Sequence, residues 1–148
     1  MPDFDAISTA LAGRFAPAQV TPPGGLTNIR KATADLPQGL GQMPVVLVFP
    51  DTGAFETGNS SRDGLHRFVV RFYFGLARNL ARETNACRKW LTVLVDQLMA
   101  GGGVQLGGSA AQALVVDWRI GTMEYAGKTY SGIELGVNVT TGEGWVPS

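Results

Sequence analysis

One cysteine, one histidine and no excess of either charge leave this chain of 148 residues with few of the groups that chemistry usually requires. The single cysteine, Cys87, excludes an intrachain disulfide framework and fits a reducing compartment. Twelve basic residues balance twelve acidic ones, so a general polyanion binder is disfavoured. No stretch approaches the run of about 18 apolar residues that a membrane-spanning helix needs. Met1-Pro2-Asp3 opens with an acid and no basic flank, so a signal peptide is not expected and the protein is expected to be made in the cytosol. Charged residues make up only 16% against 45% apolar, which excludes a charge-rich disordered tail. The length predicts a single domain over 1–148. A chain of this mass buries roughly two-thirds of its surface, enough for one core without staples. What is abundant is glycine: 20 residues, about twice the average share. No collagen-like period accompanies them, so they are assigned to turns and loops.

The pattern of apolar residues predicts an α+β fold. Phe4, Ile7, Leu11 and Phe15 make one stripe of a helix that Asp3 can cap and Pro17 stops. Residues 17–43 hold so many prolines and glycines that no regular element is expected, with Leu26, Ile29, Leu36 and Leu40 pinning the segment to the body. Val45-Val46-Leu47-Val48-Phe49 between two prolines reads as a buried strand. Residues 51–64 are patternless and read as a flexible loop. From Leu65 to Gly75 the chain alternates: His66, Phe68, Val70, Phe72 and Phe74 on one face, Arg67, Val69, Arg71 and Tyr73 on the other. Arg78 to Ala100 reads as a long helix with the stripe Leu80, Thr84, Cys87, Leu91, Leu94 and Leu98. A second flexible loop spans 101–112. Leu114–Tyr125 and a strand carrying inward Ile133, Leu135, Val137 and Val139 form a hairpin around Ala126–Thr129, and 141–148 is a tail. The expected order is α-β-β-α-β-β: an antiparallel sheet of four or more strands with two helices on one face.

A catalytic reading needs a convergent set of groups, and the sequence offers none. His66 sits on the aromatic side of a strand and reads as a core or sheet-edge residue. Cys87 lies in the apolar helix stripe, which makes it an inert thiol. No cluster has metal-ligand spacing, and Asp51, Glu56 and Asp63 lack the alternating oxygen ligands of a calcium loop. The glycines at 101–108 follow a helix instead of preceding one and lack a Gly-Lys-Ser/Thr end, so they do not form a phosphate loop. The chain is therefore read as a non-enzyme without cofactor or metal. Trp90 and Trp118 are assigned to core packing, whereas Trp145, isolated in the tail, is a docking candidate.

The net neutrality conceals a division. Arg62, Arg67, Arg71, Arg78, Arg82, Arg88 and Lys89 meet only Asp63 and Glu83 between them, so this segment is strongly basic and the rest correspondingly acidic. Such a split suits a protein that meets copies of itself or a charged partner through one surface, as well as a merely solvated face.

The order of pieces along nearly the whole chain resembles the tail terminator proteins of long-tailed bacteriophages, the minor tail protein U-like terminators. A short amphipathic helix leads through an irregular segment to LPQGLGQMPVVLVFP. The arginine-bearing strand HRFVVRFYF precedes one long helix, NACRKWLTVLVDQLM, and the hairpin MEYAGKTYSGIELGVNVTT closes the chain, with Tyr130, Gly132 and Ile133 the most suggestive local match. The resemblance implies a ring, a hexamer, at the head-proximal end of the tail tube of a virion. There it would stop tube polymerisation and present a surface to head-completion proteins, while DNA passes through the lumen without sequence-specific binding. In such a ring Arg67 and Arg71, with Tyr73 continuing their row and Arg78 and Arg82 beyond, are the expected subunit interface. Another neck component, a tail tube subunit and, from a different class, a small-ligand binding domain remain alternatives.

Overall fold

The computed structural model describes residues 4–55, 64–103 and 111–141. Helix α1 (Phe4–Gly13) precedes a 3-10 turn at Pro17–Gln19, strand β1 (Lys31–Thr33), strand β2 (Val45–Phe55) and strand β3 (Gly64–Leu76). Helix α2 (Leu80–Gly103) then leads to strands β4 (Ala111–Tyr125) and β5 (Lys128–Thr141). The five strands form one sheet in the order β1-β2-β3-β5-β4. The class is α+β, as the periodicity implies, but the order differs from expectation. The segment read as irregular contains β1, which pairs parallel with β2 through Lys31↔Val45 to Thr33↔Leu47, so the sheet is mixed. A three-residue strand between prolines and glycines has no alternation long enough to detect in sequence.

Regular elements run into both segments read as loops. β2 continues to Phe55 and β3 begins at Gly64; α2 continues to Gly103 and β4 begins at Ala111. Pairing with β3 and β5 recruits residues whose own composition disfavours regular structure. Thr141 closes β5, and the tail with Trp145 lies outside the described residues, as do 56–63 and 104–110.

One sheet face carries both helices. Ile7, Leu11 and Phe15 from the α1 end, and Cys87, Trp90, Leu94 and Leu98 from α2, share one core with Val46, Val48, Phe68, Val70, Phe72 and the inward β5 row. Trp90 is buried, as expected, and so are Cys87, Leu94 and Leu98 of the α2 stripe read in sequence, but Leu91 is only partly buried and Leu80 is exposed. The indole decides the phase, because it packs on Phe72 at 4.8 Å between ring centroids and buries more apolar surface than any leucine. Asn79 caps the helix, its Oδ1 accepting from Arg82 N at 3.2 Å. The buried Glu83 carboxylate reaches back to accept from Arg78 N and Asn79 N at 3.2 and 3.1 Å.

The opposite face is only partly covered. The chain between β1 and β2 lays Leu40 and Met43 over one end, where Val45, Leu47, Tyr73, Met123 and Tyr130 form a second cluster. The remainder of that face carries the charged rows described next.

Candidate functional site

Arg67 and Arg71 stand two residues apart on β3, on the face away from the helices, as the alternation requires. Neither is an isolated charge. Arg67 donates twice to Asp117 on β4, at 2.9 and 3.0 Å, and lies 3.3 Å from the Asp51 carboxylate on β2. Arg71 donates to Glu134 on β5 at 2.8 Å and lies over the Phe49 ring, 5.3 Å from its centroid. The Arg67 hydrogen bond holds the Asp117 carboxyl below its ordinary range, and Asp117 in turn raises the Arg67 guanidinium. Burial works against the charge on Arg71, but contacts with Tyr73 and Glu134 outweigh it and leave its affinity for the proton raised.

The Arg67–Asp117 pair spans a strand, because β5 runs between β3 and β4. It passes over Gly136, which faces Asp117 in the β4–β5 register. A Cβ at 136 would collide with Asp117 Oδ1 and both terminal nitrogens of Arg67. Two bulges set the carboxylates in place. Asp51 is the extra residue where β2 slips against β3, and Val116 is the extra residue where β4 slips against β5, so that Asp117 falls opposite Gly136. Across the sheet one row reads Asp51, Arg67, Asp117, and the next reads Arg71, Glu134, Arg119, since Arg119 faces Glu134 in register. The first row is net negative by one charge and the second net positive by one.

The other expected interface residues sit elsewhere. Tyr73 is fully buried among Tyr125, Tyr130 and the second cluster, so in this structure it packs. Arg78 and Arg82 are exposed at the start of α2, where with Lys128 they border a cavity of about 800 Å³ floored by Leu40, Phe74 and Tyr130. Sequence reasoning missed Lys128 there, and Asp51, Asp117, Glu134 and Gly136 beside the arginines. The signal for two of them was the alternation of the closing strand, which turns Glu134 and Gly136 outward.

His66 is buried with its ring edge-on to Phe4 at 4.9 Å, and burial lowers its pKa. Burial, with Glu83 nearby, pushes the Cys87 thiol up to about 12, which suits a packing role. Trp118, expected in the core, is 56% exposed: β4 is the sheet's last strand, and Trp118 borders a groove open between it and Leu91, Val95 and Met99 of α2. Among the described residues no three His, Cys, Asp or Glu side chains converge as a metal site, and no helix is long and apolar enough to cross a membrane. No protein-family model matches the chain, and no curated protein matches its sequence.

Proposed function

We propose that this chain is a structural assembly protein whose work is done by surfaces. Within that class we read it as a tail terminator, forming a ring on the head-proximal end of a phage tail tube, halting polymerisation there and offering the head-joining surface. The observation that supports this most is the sheet face opposite the helices. Arg67 and Arg71 on it are neutralised inside the chain by Asp51, Asp117 and Glu134, and its two charged rows, Arg119 included, sum to zero. Such a face is polar without being strongly cationic, which suits a wall that DNA passes without adhering. The helix–strand–strand–long helix–hairpin succession on which the resemblance rests is retained, with one short strand added. The pairing of Arg67 and Arg71 within the chain moves the expected subunit contact toward Arg78 and Arg82, which have exposed side chains.

The test is a tube-assembly reaction. Adding the chain to polymerising tail tube protein should fix tube length, and its omission should give overlong tubes; equal length distributions would reject the reading. A second reading, a small-ligand site, is favoured by the cavity at Arg78, Arg82 and Lys128, whose volume lies in the range of ligand sites. Saturable binding of small carboxylates or phosphates, lost in Arg82→Ala, would support it.

A further inference from the structure

Strand β4 ends the sheet, and among the described residues nothing pairs with its outer side. Natural sheets blunt such edges with charge, a bulge, proline or a covering segment, because an open edge is a template for another strand, and β4 has the Val116 bulge and the charges of Asp117 and Arg119. The strand is 15 residues long and carries Leu114, Val116 and Trp118 at 52%, 44% and 56% exposure. A groove of about 450 Å³ adjoins it, lined by Leu91, Val95 and Met99 of α2 and by Val115 and Trp118. The edge offers main-chain hydrogen bonds and apolar area together, which is what an incoming strand uses.

The charges say which strand. Arg119 has no carboxylate within ion-pair distance among the described residues: Glu134, opposite it, is taken by Arg71, and its own guanidinium only meets Thr122 O at 3.4 Å. Asp117, 57% exposed, ends a row one negative charge in excess. The geometry points to a second copy of this chain, its β4 edge paired antiparallel with this one about a two-fold axis at Trp118. A two-fold axis perpendicular to the sheet keeps each face on its own side, so some residue must face its own mate. Centring on Asp117 opposes two carboxylates, and centring on Arg119 opposes two guanidinium groups. Centring on Trp118 sets Asp117 opposite Arg119 of the second copy, twice, and sets the two exposed Trp118 side chains side by side. The charged rows then alternate without interruption across both sheets: Asp51, Arg67, Asp117, then Arg119, Glu134 and Arg71 of the second copy. The contact closes at two copies, so it does not rest on the ring reading.

Sedimentation equilibrium of the full chain across the micromolar range should show twice the chain mass. Arg119→Asp should weaken association by about tenfold or more through facing carboxylates, while Arg119→Lys keeps it and circular dichroism is unchanged in both. Facing residues across an antiparallel pair lie about 4.5–5.5 Å apart, within disulfide reach. Trp118→Cys should therefore form a covalent dimer on mild oxidation, with the buried Cys87 a silent background. A monomeric wild type throughout that range would overturn the proposal. So would a dimer indifferent to Arg119→Asp, or one in which Trp118→Cys stays unlinked. Tube capping is scored separately and fails or survives on its own.

Discussion

Replacing Gly132 and Gly136 by alanine, one at a time, asks whether the two ends of the sheet face away from the helices differ as the structure requires. Both glycines lie on β5, four residues apart, and both lack room for a methyl group. At Gly136 the obstacles are Asp117 Oδ1 and the Arg67 guanidinium, the ends of flexible side chains that can swing away. What is lost is a surface ion pair with Asp117 57% exposed, worth about 0.2–1 kcal/mol. Against that, alanine restricts the unfolded chain and returns about 0.4–1 kcal/mol. At Gly132 the methyl meets the Phe72 carbonyl oxygen, with Phe72 C at 3.0 Å and Met123 Cε at 2.7 Å. Phe72 belongs to the central strand, whose backbone cannot retreat without opening its ladders to β2 and β5. Overpacking of that kind costs about 1–3 kcal/mol or more. At about 2–4 °C per kcal/mol for a chain of this size, Gly132→Ala should melt several degrees lower, while Gly136→Ala stays within about 3 °C of wild type. Urea unfolding monitored by circular dichroism, with unchanged slope, would convert the shifts to free energies. Equal losses at both positions, or a harmless Gly132→Ala, would refute the reasoning.

Leu94 is fully buried whereas Leu91 is not, so Leu94→Ala should cost about 2–5 kcal/mol and Leu91→Ala clearly less; the two unfolding midpoints check the helix phase. Burial lowers the pKa of His66 in the fold, so the unfolded chain takes up its proton first as acid is added. Stability should therefore hold above the ordinary histidine value of about 6.5 and fall as pH drops through it toward the lower folded value, and His66→Leu should flatten that decline. Ala126 holds φ 51° beside Gly127 at 82°, a conformation in which asparagine is favoured over alanine. Ala126→Asn should raise stability by up to about 1 kcal/mol, read from thermal melts.

Alternation made β3 and β5 legible, since His66, Phe68, Val70 and Phe72, and the row from Ile133 to Val139, all face the helices in the structure. Spacing alone also located α2 and the hairpin. What failed were features that depend on a neighbour. β1 exists because β2 offers it a ladder. Leu91 is only partly buried, because Trp90, rightly assigned to the core, takes the place over Phe72. Trp118 is exposed because its strand is the last. The arginines were found, but their carboxylates were not: each bulge moves a residue by one place, so Asp117 reads as one more member of an alternating run until Val116 is known to be extra. A basic segment and an acidic remainder, seen in sequence as a possible contact between copies, turn out in part to be one sheet's internal pairs.

The central claim is that this chain caps tail tubes, and electron microscopy of tubes incubated with the purified protein tests it most directly. The account predicts a ring of added density at one end of each tube and no further elongation when tube protein is supplied. Bare ends that continue to grow, with the folded protein free in the background, would contradict it.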